Sequence, residues 1–126
     1  MFRLDYDGVV RSLSSYARRK VREGALAVIL IGSLARGNYT AFSDADVVVV
    51  VPDGSAPGDP AERVGEFLDP SLPIDLDPFV YEKSELVEMA RQGRRIVDEI
   101  LRVGRILAGD PGILEELERN WRSRES

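Results

Sequence analysis

Apolar residues recur at helical spacing over residues 7–22, where Val9, Val10, Leu13, Tyr16, Ala17 and Val21 form one stripe. Arg18, Arg19, Lys20 and Arg22 crowd the last turn, where the helix dipole favours cations, and Gly24 closes it. The period then changes. Residues 25–31 (ALAVILI) and 45–51 (ADVVVVV) are short apolar runs that predict buried strands. A turn-rich loop, PDGSAPGDP, follows at 52–60, and a brief helix over 61–68 stops at Asp69-Pro70. Residues 74–81 alternate: Ile74, Leu76 and Val80 face one way, Asp75, Asp77, Phe79 and Tyr81 the other. Pro78 inside that strand predicts an edge or a bulge. A long helix is expected over 84–103, with Gly93 its weak point, then a short edge strand at Arg105-Ile106-Leu107. Asp110 caps a last helix over 111–120, with Trp121 beyond it as a docking anchor or an exposed aromatic.

These elements predict an α/β fold: a small mixed β-sheet of three or four strands, helices on one face, acids on the other. The length fits a single domain over 1–126, with a motif core at 25–81 and C-terminal helices at 84–103 and 111–120. Asp44, Asp46, Val48 and Val50 share one parity, so a sheet covered on one face leaves Val48 and Val50 bare beyond the acids. Such a groove calls for a covering partner, and a homo-oligomer or heteromer is expected.

The candidate chemistry lies between the first two strands. Gly32-Ser33 ends the first, and Leu34-Ala35-Arg36 favours a turn or two of helix with Ser33 as its N-cap. Free backbone N–H groups at such a start attract phosphate, Gly32 lets a ligand approach closely, and Arg36 adds positive charge. Asp44 and Asp46, two apart, project into the same space, which suits a pair of Mg²⁺ ions about 3.5–4 Å apart. Read singly, Ser33 is a helix cap, Asp44 a turn residue and Arg36 a solvated charge. Asp46 is harder to set aside, because an acid heading a run apolar on both faces is costly without a counter-charge.

Composition narrows the choices. With no Cys and no His, thiolate nucleophiles, zinc-thiolate sites and imidazole bases are excluded, and acid–base work falls to carboxylates. The net charge of −5 disfavours a nucleic-acid backbone as partner. No apolar signal segment follows Met1 and no run reaches transmembrane length, so no membrane partner and a cytoplasmic location are expected.

Gly32-Ser33, ten residues, then Asp44-Ala45-Asp46 resembles the signature of the DNA polymerase beta-like nucleotidyltransferase superfamily. The short chain is most similar to its minimal (MNT) members, from the first helix to about Gly109. Ala45 stands where a larger aliphatic is common. The resemblance implies a polymerase beta-like fold and Mg²⁺-dependent transfer of a nucleoside monophosphate to an acceptor hydroxyl, with release of pyrophosphate. ATP or another NTP is the implied donor, AMP from ATP before others, and a partner protein is among the acceptors. Asp44 and Asp46 are the implied metal ligands, and Gly32, Ser33 and Arg36 the nucleotide-binding residues. A third catalytic carboxylate carries over to Asp77, because Asp77-Pro78-Phe79-Val80-Tyr81 resembles the family pattern. Asp75 is the reserve, since a two-residue shift keeps the same face. Two other readings stay open: an antitoxin-type subunit of a HEPN/MNT pair acting by contact, and a small-molecule (drug) nucleotidyltransferase, which the minimal length disfavours.

Overall fold

The computed structural model describes residues 4–56 and 58–124. The elements run α1 (Tyr6–Arg22), β1 (Ala27–Ile31), α2 (Gly32–Arg36), β2 (Ala45–Val51), a 3-10 helix (Pro60–Phe67), β3 (Leu76–Glu82), α3 (Lys83–Arg91), α4 (Arg95–Val103), β4 (Arg105–Gly109) and α5 (Gly112–Ser123). Local chemistry sets several boundaries. The Asp5 carboxylate accepts from the Gly8 N–H at the start of α1, and Asp59 accepts from Ala61 and Glu62 at the start of the 3-10 helix. Glu82 and Glu85 form a reciprocal capping box at the start of α3.

The four strands lie in the order β3-β2-β1-β4. β1 runs antiparallel to both β2 and β4, whereas β2 and β3 are parallel. β3 is an edge strand, as Pro78 predicts, and β4 forms the other edge. The fold class is thus the mixed α/β sheet expected.

Two corrections concern the helices. The single helix expected over 84–103 is two, α3 and α4, because Gly93 takes a left-handed φ of +70° between them. The expectation of helices on one face only is also overturned. On one face Val28, Leu30, Val47 and Val49 pack with Val9, Leu13, Tyr16 and Ala17 of α1. On the other, Ala27, Ile29, Val48 and Val50 pack with Leu86, Val97, Ile100, Ile113 and Leu117 of α3, α4 and α5. Val48 and Val50 are fully buried within this chain, so the bare groove beyond the acids does not exist. The physical reason is the break at Gly93, which lets three short helices tile a face that one long helix would only cross.

The two layers are tied around the sheet edge by Arg63, a buried charge on the 3-10 helix. Its guanidinium donates to both carboxylate oxygens of Glu85 at the start of α3, at 2.6 and 3.2 Å. Tyr16 of α1 donates its hydroxyl to the Phe67 carbonyl, and burial pushes that phenol's pKa up. Among the described residues no helix is long and apolar enough to cross a membrane.

Candidate active site

The predicted acids gather where β2 begins. Asp46 is the second residue of β2, and Asp44 stands just ahead of the strand. In the parallel ladder Asp46 is directly opposite Asp77 of β3. Asp46, Val48 and Val50 share a face with Asp77, Phe79 and Tyr81, and the apolar members of this set belong to the core under α3, α4 and α5. That core is the floor on which the two acids rest. Asp75, the reserve, lies one residue before β3, where its carbonyl accepts from the Ala45 N–H at 2.8 Å.

The glycine turn closes on the same spot. Ile31, the last residue of β1, pairs with Asp46, and Gly32 follows with φ +75°. A Cβ on Gly32 would overlap the Asp46 carboxylate, so only glycine lets this backbone lie against the acid. Ser33 is not the cap expected. α2 begins two residues earlier than expected, at Gly32, with Ile31 in the cap position and no side chain capping the helix. The Ser33 hydroxyl is therefore not committed to starting α2. Arg36, at the end of α2, forms an ion pair with Glu99 of α4.

Charge is unbalanced here. The Asp46 carboxyl is pushed up to about 6 by burial first, then by the negative charges of Asp77, Asp44 and Glu99, with Arg36 opposing them. A cation placed between these acids would remove that penalty. Among the described residues no three acidic side chains converge closely enough to enclose an ion by themselves. Mg²⁺ does not require such a cage, since it is commonly held by one or two carboxylates together with substrate phosphates. An all-oxygen donor set fits that ion.

Two neighbours of the site were not singled out from the sequence. Glu99 lies in α4, far along the chain, and nothing in its spacing marks it. Phe42, within a linker that reads as unremarkable, is 91% exposed two residues before Asp44. A cleft of about 370 Å³ opens beside it, lined by residues 41–44 and 72–75 with Leu4. A larger cavity, about 770 Å³, lies at the far end of β2 around Val51, Lys20, Arg63 and Phe67, and is lined by none of Asp44, Asp46, Asp75 and Asp77.

A mixed sheet that ends a strand in a glycine turn, with acids paired on two adjacent strands, agrees with the polymerase beta-like nucleotidyltransferase fold expected. The chain belongs to the nucleotidyltransferase domain family, whose model matches residues 10–103. Among solved structures it is similar to a toxin-antitoxin complex with AMP-PNP, at 17% identity and TM-score 0.59, covering 97% of this chain and 87% of that one. It is also similar to a mutant of the toxin-antitoxin MntA-HpeT, at 14% identity and TM-score 0.56, with 97% and 87% covered. At such identities the likeness is one of fold. No curated protein sequence matches this chain.

Proposed function

We propose that this nucleotidyltransferase moves a nucleoside monophosphate, AMP from ATP before other nucleotides, to a hydroxyl on a partner protein and releases pyrophosphate. The observation that carries this reading is the register of Asp46 opposite Asp77, with the Gly32 backbone against Asp46. It sets two acids and a glycine turn around one point, which supports this reading.

In this reading the β- and γ-phosphates rest against the backbone of Gly32 and the hydroxyl of Ser33, and Arg36 supplies counter-charge. The acceptor oxygen attacks the α-phosphorus in line. One P–O bond forms while the bond to the oxygen bridging the β-phosphate breaks, and that electron pair leaves with pyrophosphate. Asp77 takes the hydroxyl proton, the role open to a carboxylate in a chain without His. Asp44 and Asp46, joined by Asp77, would hold two Mg²⁺, which when bound offset phosphate charge and make the attacking hydroxyl more acidic. Asp77 is preferred to Asp75 as third acid because Asp77 acts electrostatically on Asp46.

The toxin-antitoxin complexes among the similar folds support a partner-protein setting, with a HEPN-type protein as the first candidate. Incubation with α-labelled ATP, Mg²⁺ and candidate partners tests the proposal. Label should pass to a partner, and Asp46→Asn or Asp77→Asn should lower transfer by at least about a hundredfold, the scale of losing a general base or a metal. ATP binding that is equal with Mg²⁺ and with excess chelator would count against the metal-assisted mechanism. Full neutralisation of a toxin by the Asp46→Asn protein would favour the contact-only antitoxin reading instead.

A further inference from the structure

We propose that the cleft beside Asp44 is where the acceptor is gripped, with Phe42 as its main apolar contact and a hydroxyl-bearing polypeptide segment of basic and apolar character as its occupant. The inference rests on the nucleotidyl-transfer reading above and adds to it the residues that choose the acceptor.

The first ground is the direction of attack. In-line displacement puts attacker and leaving group on opposite sides of the α-phosphorus. The turn proposed to hold the leaving pyrophosphate, Gly32-Ser33, follows β1, whereas Asp77 is on β3, and β2 lies between those strands. The cleft is lined by residues that lead into β2 and β3 and by Leu4, with nothing from β1 or α2. It therefore lies on the side from which the acceptor must come.

The second ground is Phe42. Among the described residues only Phe42 and Leu68 are large apolar side chains left exposed, and Phe42 is nearly bare. Its turn is not slack. The Thr40 N–H donates to the Ser43 hydroxyl at 2.8 Å, the Phe42 N–H to the Thr40 hydroxyl at 3.2 Å, and the Ser43 N–H to the Thr40 carbonyl at 3.1 Å. One residue back, Tyr39 stacks on Tyr6 of α1 with ring centroids 4.9 Å apart, which anchors the loop to the helix. A turn braced within itself and anchored at Tyr39 thus presents a phenyl ring to solvent beside Asp44, a surface that a partner residue would bury.

The third ground is charge. Leu4, Leu72, Pro73 and Ile74 give the cleft an apolar wall, while Asp44 and Asp75 are its only charged lining residues among the described ones. Asp44 is assigned to the metals, which leaves Asp75 as the acid facing the occupant, with no cation beside it in the cleft among the described residues. An apolar segment with Lys or Arg near its hydroxyl meets both features. A phosphate-rich acceptor such as an RNA end meets neither.

The test uses the intact chain, ATP with Mg²⁺, and 12-residue peptides carrying a central Ser, Thr or Tyr flanked either by Arg and Leu or by Glu and Leu. Transfer of labelled AMP should favour an Arg-flanked peptide over its Glu-flanked counterpart by about tenfold, the scale of one or two charge contacts. Phe42→Ala should raise the peptide KM severalfold while leaving the ATP Kd and the melting temperature unchanged, and Phe42→Leu should restore most of the loss. A Phe42→Ala effect on the ATP Kd instead would make Phe42 a nucleobase platform and overturn the proposal. So would equal transfer to both peptide classes, preferred labelling of RNA ends, or ATP binding with no peptide labelled. A wild-type protein that binds no ATP would overturn the nucleotidyl-transfer reading and this one with it.

Discussion

Asp46 and Asp77 face each other across the one parallel junction of the sheet, and Gly32 bears on Asp46 from the opposite flank. The Asp46 carboxyl is thereby confined between a neighbouring strand's acid and a stretch of bare backbone. Its charge is expensive to keep, and that cost is measurable.

Because the Asp46 pKa rises from 3.8 to about 6 on folding, the folded state holds its proton more tightly than the unfolded state. The stabilisation is fully present below about pH 4 and is lost as pH climbs through about 6. Asp46→Asn should therefore melt higher than the parent at pH 7.5 without metal, and the gap should close toward pH 4. Added Mg²⁺ should raise the parent's melting temperature and leave the variant's nearly unmoved. Thermal melts over this pH range, with and without chelator, provide the check; parallel pH profiles for the two proteins would refute it.

Gly32→Ala should damage fold and site together. The new Cβ would meet the Asp46 carboxylate, and φ +75° strains any side chain. We expect a loss of about 1–3 kcal/mol in urea unfolding, the usual cost of a residue held in the left-handed region. Transfer should fall further than stability, since Asp46 is the group displaced. Wild-type values in both assays would remove Gly32 from the site.

Ser33→Ala separates ligand binding from helix capping, because Ser33 does not cap α2. Triphosphate affinity should weaken by about 1 kcal/mol, one hydrogen bond's worth, with the melting temperature almost constant. The opposite pattern, a lower melting temperature and unchanged ATP affinity by calorimetry, would show that the hydroxyl serves the fold alone.

Glu99 both occupies Arg36 and adds negative charge near Asp46. Glu99→Gln should free the guanidinium for phosphate and tighten ATP binding about two- to fivefold, in keeping with a partly exposed ion pair worth up to about 1 kcal/mol. Arg36→Ala should weaken it. If both variants weaken ATP binding equally, Arg36 needs Glu99 to position it, and the competition drawn here is wrong.

The strands and the acids were legible because their signals are local. Residues 25–31 and 45–51 are apolar at nearly every position, and Asp44 and Asp46 stand where β2 starts, as expected; Asp77, expected midway along a strand over 74–81, is instead the second residue of β3. What escaped the sequence depends on geometry between elements. The start of α2 at Gly32, rather than at Leu34 after a Ser33 cap, goes with a backbone angle at Gly32 that the packing against Asp46 requires. The apolar positions 86–101 keep helical spacing across Gly93, so the division into α3 and α4 left no gap in the pattern. The sequence does carry a mark of the second helical layer. Val47 to Val51 are apolar on both faces, a pattern that belongs to a sheet covered twice. Phe42, lone in its linker, belongs to no period at all.

The helical layer over Val48 and Val50 has a thermodynamic consequence for how the domain associates. When a subunit interface closes a protein's core, folding and assembly are one event, and stability falls on dilution. Here α3, α4 and α5 do that closing within the chain. Burying this sheet adds no dependence on protomer concentration, so the fold can persist while the domain is unbound. The proposed partner at Phe42 would then be free to arrive, react and depart without the scaffold melting behind it.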